Sequence, residues 1–247
     1  MTSPASACVM PAGRLAALVD GLDWERIGAD LDEAGHALTG PLLTPSECSG
    51  LSALYEHDQP FRSRVVMERH GFGKGEYKYF ADPLPEAVAN LRALLYRRLA
   101  PVANRWATAM ALDHRYPADH GEFLDRCHAA GQRRPTPLLL KYRPGDYNCL
   151  HQDLYGETVF PLQMAVLLSV PGTDFSGGEF VLTEQRPRMQ SRATVVPLSQ
   201  GMGVVFAVDQ RPVQGIRGTY RVRHRHGVSL LRSGERFMLG IIFHDAA

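Results

Sequence analysis

The chain has almost no lysine. Of its 27 basic residues only Lys74, Lys78 and Lys141 are lysines, an imbalance that reads as coding bias rather than function. Cysteine is scarce too. Cys8, Cys48, Cys127 and Cys149 lie far apart, with no Cys-x-x-Cys pair among them. That spacing excludes a zinc knuckle, and 247 residues are too many for a disulfide framework. Four free thiols in a reducing cytoplasm are expected. Neither charge sign dominates: the formal net charge is +1, which gives no global signal for nucleic acid or membrane. No apolar run approaches the roughly 18 residues of a membrane span. The opening "MTSPASACVMPAGR" lacks the apolar stretch of a signal peptide. A cytoplasmic protein is expected, with no membrane partner and no obligate protein partner.

What is present is a hydrophobic fraction of 45%, enough for one well-buried core in a single domain, 1–247. Residues 1–13 read as a loose tail. Residues 14–135 read as helical support plus a β-hairpin. "WERIGADLDEAG" is a helix closed by Gly35. "TPSECSGLSALYEH" is a helix with Thr44 as N-cap, Pro45 in the first turn and Glu47 at the capping-box position. "FRSRVVMERH" and "EYKYF" flank a glycine-rich tip and predict a hairpin. "PEAVANLRALLYRRLAPVANRWATAMA" is helical with a break expected at Pro101. "ADHGEFLDRCHAA" predicts one more helix.

From residue 136 onward the pattern changes. Eight short apolar or alternating runs recur between glycine and proline turns: "PLLLKYR", "YNCLHQ", "LQMAVLLSV", "GEFVLTE", "ATVVP", "GVVFAV", "YRVRHRHGV" and "RFMLGIIF". Such spacing predicts antiparallel strands in a sandwich or barrel. The fold class expected is α+β: a double-stranded β-helix, or jelly roll, over 136–247, braced by the N-terminal helices.

The pair in "LHQDLYG", His151 and Asp153, would share one face of a strand. Alone it means little. Ten histidines produce about half of one His-x-Asp by chance. The third ligand comes from "YRVRHRHGV". Arg221, Arg223 and Arg225 share one face and cannot fill a core, so Tyr220, Val222, His224 and His226 face inward. A lone inward histidine is more often a satisfied core residue than a ligand. With His151 and Asp153 on a neighbouring strand, the metal reading is preferred. Two histidines and a carboxylate make the facial triad of non-haem Fe(II) oxygenases, which leaves positions open for cosubstrate and O2. His224 and His226 are equivalent by parity. Parity alone leaves the choice between them open. His120 and Glu122 also have His-x-Glu spacing, but at a helix start, where the core reading is favoured.

Arg236 lies in the last strand. A guanidinium inside a barrel requires an anion, and the planar distal carboxylate of 2-oxoglutarate matches it. The competing partner is an internal acid, with Glu235 adjacent.

His-x-Asp, a distant His, and an Arg ten residues on in "HGVSLLRSGER" resemble the 2-oxoglutarate/Fe(II)-dependent dioxygenases. The His-to-Arg end resembles the prolyl-hydroxylase branch. "YRPGDYNCLHQD" is similar to the AlkB-type nucleic-acid dealkylases, with Tyr142, Pro144, Gly145 and "LHQD" in matching places. It departs from them at Leu140, where they carry Asn, and in having one later arginine instead of a pair. "FGKGEYKYF", "NCLHQDLYGETVFPLQ" and "DFSGGEFVLTEQRPRMQSR" resemble a bacterial family identified as oxygenases acting on damaged nucleic acid. This similarity runs from about residue 24 to the end.

The resemblance implies Fe(II) on His151, Asp153 and His226, the three catalytic positions. It implies 2-oxoglutarate on Arg236, Tyr142 and Asn148, and O2 as oxidant. The substrate implied is alkylated DNA or RNA, dealkylated oxidatively. Two alternatives stand beside it: hydroxylation of a protein or amino-acid side chain, and a non-catalytic jelly roll that holds metal structurally. For nucleic acid, ten arginines face three acids between Thr183 and Arg236, a candidate phosphate-tracking face that includes Arg186 and Arg188. The other reading of those arginines is an ordinary solvated face with bridges to the N-terminal half. Tyr77, Tyr79, Tyr155 and Phe72 are candidates for stacking a base, against ordinary packing.

Overall fold

The computed structural model describes residues 12–247. Five helices and fifteen strands build two antiparallel sheets and a helical layer. The larger sheet runs β1(His36–Pro41), β11(Met202–Ala207), β7(Leu162–Leu167), β15(Arg236–Ile242), β5(Leu138–Tyr142), β4(Glu76–Phe80), β2(Phe61–Val66). The smaller runs β10(Arg192–Val196), β9(Phe180–Gln185), β13(Gly218–Val228), β6(Tyr147–His151), β3(Gly73–Lys74), with β12(Gln210–Gly215) on β13. β8(Phe175–Gly177) and β14(Leu231–Gly234) pair separately. All eight strands expected after residue 136 are present, and the jelly-roll core with its helical brace is the fold observed.

Strand alternation explains the layering. Met164, Val166, Val205, Leu239 and Ile241 face the helices and belong to one apolar cluster. Their neighbours Ala165, Leu167, Val204, Phe206 and Met238 face the smaller sheet and belong to another. β7 is therefore buried at every position, as expected of a strand covered on both faces.

α2(Trp24–Ala34) ends on Gly35, which is left-handed at φ 72°. An added Cβ there would meet His224 Cε1 at 2.5 Å, so glycine is required by space as well as by conformation. α3(Pro45–Ala53) carries the full capping box, with Thr44 and Glu47 bonding each other's backbone N–H. α5(His120–Ala129) starts at Asp119.

The structure adds to or corrects the expectations in four places. Residues 12 and 13 of the supposed tail open a helix, α1(Ala12–Asp20), whose Leu15 and Val19 are buried; Cys8 and the rest of the tail lie outside the described residues. β1 was not expected, and it extends the larger sheet by pairing with β11. The hairpin strands β2 and β4 also complete that sheet rather than standing apart from it, while the tip between them pairs with β6 as β3. Pro101 does not break α4(Glu86–Ala109), which is one continuous helix. The residue is exposed, so water can take the carbonyl that its missing N–H leaves free. Leu95, Tyr96, Leu99, Val102, Ala103 and Trp106 anchor the helix on either side. Pro101→Ala is expected to stabilise the fold by roughly 1–3 kcal/mol in urea denaturation, because it restores one helical bond. A loss of stability would show that the ring itself is needed for packing.

Candidate active site

The smaller sheet positions the proposed metal ligands. β13 and β6 are adjacent, and their register places His226 directly opposite His151, with ring centroids 4.1 Å apart. β6 stops at His151, so Asp153 lies just beyond the strand instead of on it. Gln152 is held at that point by Asp209 Oδ1 at 2.6 Å and by the His224 carbonyl at 2.9 Å. Asp153 then turns between the two imidazoles. Its Oδ1 is 3.5 Å from His151 Nε2 and its Oδ2 is 3.3 Å from His226 Nε2. One ligand atom from each residue falls within 4.8 Å of the others. Two atoms bound at about 2 Å to one ion at right angles stand about 3 Å apart, so the three side chains fit a single metal.

The proton states suit that role. His151 Nδ1 sits 2.8 Å from the Cys149 carbonyl, which can only accept. That bond keeps the hydrogen on Nδ1 and frees the Nε2 lone pair. Burial, followed by the nearby His151, pushes the His226 pKa down and favours its neutral form. Burial opposes the charge on Asp153, but His226, His151 and the Tyr155 hydroxyl outweigh it and hold the carboxyl far below the usual range. Tyr155 Oη donates to Asp153 Oδ1 at 2.6 Å, and Gln163 Nε2 donates to Asp153 Oδ2 at 2.8 Å. His224 lies elsewhere: its Nε2 accepts from Arg211 Nε at 3.0 Å.

The triad opens into a cavity of about 370 Å³ between the sheets, lined also by Tyr142, Asn148, Tyr77 and Met238. Arg236 stands opposite Tyr142 across the β15–β5 ladder, one inward-facing position beyond Met238. It is 1% exposed and has no acidic partner among the described residues. Its Nη2 reaches only the Met238 sulfur, at 3.4 Å, and its Nη1 bonds nothing. Burial lowers its pKa to about 10. Glu235 points away, to Arg143 at 3.1 Å and Lys141 at 3.5 Å. The Tyr142 hydroxyl is likewise buried without a partner. A buried unpaired guanidinium beside a buried unpaired hydroxyl is costly unless an anion joins them. The donor set fits a carboxylate.

The candidate substrate residues divide. Tyr77 lines the cavity, and Phe72 stands at its mouth, 48% exposed. Tyr79 is buried behind Tyr77 and does not line it. Tyr155 lines the cavity, but its hydroxyl is committed to Asp153. Arg186 is bound to Glu184 at 3.0 Å and Arg188 sits in the β9–β10 turn; neither reaches the cavity. The arginine face is smaller than its count. Arg211 is buried on Glu184 and on the carbonyls of Asp32 and Glu33, an internal bridge to the N-terminal half. Arg221, Arg223 and Arg225 are exposed, on the face of β13 opposite His226. His120 is a core histidine, bonded to the Phe243 carbonyl at 2.8 Å, and Glu122 is exposed. Gln163 carried no signal in the sequence; only the register of β7 brings it beneath Asp153.

Residues 75–246 match the model of a family described as an oxygenase catalysing oxidative methylation of damaged DNA. The chain belongs to this oxygenase family. A curated relative from Mycobacterium tuberculosis, uncharacterized, is 51% identical over 168 residues, covering 68% of this chain and 72% of its own. A 2OG-Fe(II) oxygenase family oxidoreductase from Burkholderia pseudomallei has a similar fold, with TM-score 0.53 and 16% identity over 91% of this chain and 93% of that one. So does the non-heme alpha ketoglutarate dependent epimerase SnoN, with TM-score 0.52 and 16% identity over 88% and 80%. The oxygenase thus shares the fold of 2-oxoglutarate/Fe(II) enzymes, and its His-Asp-His cluster could hold one metal ion. Among the described residues no helix is long and apolar enough to cross a membrane.

Proposed function

We propose that this oxygenase removes methyl groups oxidatively from damaged nucleic acid. In this reading His151, Asp153 and His226 hold Fe(II), while Arg236 and Tyr142, with Asn148 beside them, hold 2-oxoglutarate. The observation that carries the cofactor assignment is the unpaired pair, Arg236 Nη1 and Tyr142 Oη, buried side by side, with Tyr142 lining the cavity of the His-Asp-His cluster. The substrate class rests on the family description. Bound together, iron and 2-oxoglutarate activate O2 to place a hydroxyl on an otherwise inert C–H bond. On an N-methyl group the product is a hydroxymethyl amine, which collapses to formaldehyde and the free base. Removal is therefore the direction that oxygen insertion supports.

The chain's own residues supply placement. Tyr155 and Gln163 fix both oxygens of Asp153, and the Cys149 carbonyl fixes the His151 ring. Phe180 and Phe206 pack against His226 and keep water from its buried side. Tyr77 and Phe72, both lining the cavity, offer aromatic faces for a base taken out of a strand.

The decisive assay supplies Fe(II), 2-oxoglutarate and a panel of methylated oligonucleotides, and reads formaldehyde and repaired mass. Formaldehyde with demethylated product supports the proposal. Succinate without any oligonucleotide change, together with a 16-Da gain on proline peptides, would transfer the site to the second reading, side-chain hydroxylation. The ten-residue interval from His226 to Arg236 favours that alternative.

Tyr155→Phe is expected to weaken metal binding about 10-fold, within the range typical when a ligand loses an outer hydrogen bond. The ring should stay in place against Tyr79 and His244, so the melting temperature should hold. Mn(II) titration measures the first quantity and calorimetry the second.

A further inference from the structure

A second cavity, of about 500 Å³, lies on the other side of the segment that carries Asp153. Its floor is the last turns of α4, where Ala103 and Ala107 leave space that larger side chains would fill. Phe123 of α5, with Leu112, Val159 and Pro161, makes an apolar wall. Leu154 stands at the rim, 47% exposed. The volume falls in the range of small-molecule sites.

Three guanidiniums border this space: Arg115, Arg126 and Arg221. Each is tied down through part of its fork. Arg115 Nη1 donates to the carbonyls of Leu112 and His114 at 2.5 and 2.7 Å. Arg126 Nη1 donates to the Arg115 carbonyl at 2.8 Å, and Arg221 Nη2 to the Met110 carbonyl at 2.7 Å. Arg221 Nη1 also donates to Gln210 Oε1, at 3.4 Å; neutral acceptors thus orient these groups without neutralising them, and the other N–H donors of Arg115 and Arg126 stay available. Among the described residues none of the three has a carboxylate within 4.0 Å. The cavity's own acids are Asp209, which is occupied by Gln152, and Glu157. The loop that the arginines grip holds Ala111 at φ 54°, a left-handed conformation that alanine seldom adopts. Surrounding contacts therefore fix this loop in shape against its own preference.

We propose that this cavity is a second ligand site, for a small amphipathic anion: a flat or aliphatic apolar body on Ala103 and Ala107, with its acidic group among Arg115, Arg126 and Arg221. The site is coupled to the metal cluster. Asp153 and Tyr155 turn to the oxygenase cavity, whereas Leu154 between them turns to this one. The bond from Gln152 to Asp209 likewise joins the two sides. A ligand under Leu154 therefore bears on the segment that sets Asp153. The coupling, though not the binding, rests on the metal reading given above.

The test uses the full-length protein and anilinonaphthalene sulfonate as probe. Saturable fluorescence at one site is expected, unaffected by 2-oxoglutarate. A hydrophobic carboxylate and a nucleoside monophosphate are tried as displacers, and the better one names the source of the acid. Arg126→Ala and Arg221→Ala should each weaken the probe at least 10-fold without a comparable fall in melting temperature. Saturating probe should shift Mn(II) affinity at least 3-fold, and Mn(II) should shift probe affinity equally. No saturable binding, displacement by 2-oxoglutarate, or affinity unchanged in both arginine variants would overturn the site. Binding lost in both variants but indifferent to Mn(II) would overturn the coupling. If the protein binds no Mn(II) at all, the metal reading fails while the site is still judged by the probe.

Discussion

Replacing His226 by alanine is expected to abolish turnover, with metal binding reduced below detection at micromolar Mn(II). In the proposed site the side chain supplies one of three ligands, and among the described residues no fourth His, Cys, Asp or Glu joins the cluster. Gln163 is the nearest polar neighbour, 3.3 Å away, but its amide nitrogen faces the imidazole and cannot bind a cation. Removing the ring also leaves the Asp153 charge buried with one less partner, so some stability should be lost. His224→Ala provides the contrast. Its ring is one of the acceptors that hold Arg211, whose other partners are Glu184 and two helix-end carbonyls. Loss of that acceptor should cost about 1–3 kcal/mol of stability and leave metal affinity within a few-fold. Isothermal titration with Mn(II), alongside urea denaturation of both variants, measures the contrast. If His224→Ala loses metal and His226→Ala keeps it, the site has been assigned to the wrong histidine.

The reason these histidines could be told apart shows what the sequence carries. Strand parity put both on the inward face, and both are buried. Parity could not say which one faces an acid. That depends on β6 lying beside β13 with His151 opposite His226, a long-range register that no local pattern encodes. The interval to Arg236 supplied the choice instead. The catalytic strands were legible because each was short, apolar and bounded by turn residues. β1 was not, since "HALTGP" lacks both a continuous apolar run and clean ends. α1 was obscured by the proline-rich segment before it.

Arginine counting is a coarse guide for a related reason. Ten arginines in one stretch look like a surface, but whether each faces water is decided by its pairing. Arg211 and Arg236 are both about 1% exposed, the first fully satisfied and the second not. The local pattern gives no hint of that difference. The two arginines have opposite consequences: one fastens α2 to the smaller sheet, and the other keeps an unpaired donor beside the Tyr142 ring. Tyr155 shows the same limit of local pattern. Its ring looked available for stacking, yet its hydroxyl lies 2.6 Å from Asp153.

Arg236→Lys is expected to raise the apparent constant for 2-oxoglutarate roughly 10- to 100-fold with metal affinity unchanged. Lysine keeps the charge and loses the planar fork, which forfeits one charge-assisted hydrogen bond of about 1.5–3 kcal/mol, and each 1.4 kcal/mol is tenfold in affinity. Tyr142→Phe should act in the same direction but less, because it deletes a single neutral donor. Arg236→Met tests the idea from the other side. Among the described residues the guanidinium has no carboxylate partner, and its one hydrogen bond goes to a thioether. An apolar side chain of similar length relieves that buried charge, so the apo protein should melt no lower than wild type. Response to 2-oxoglutarate should vanish, while Mn(II) still binds. A residue kept for stability predicts the reverse: Arg236→Met would melt several degrees lower with its 2-oxoglutarate constant intact. Thermal denaturation with and without 2-oxoglutarate, at saturating Mn(II), reads both quantities in one experiment. A higher melting point combined with a lost cosubstrate shift would identify Arg236 as a group whose partner arrives only with the reaction.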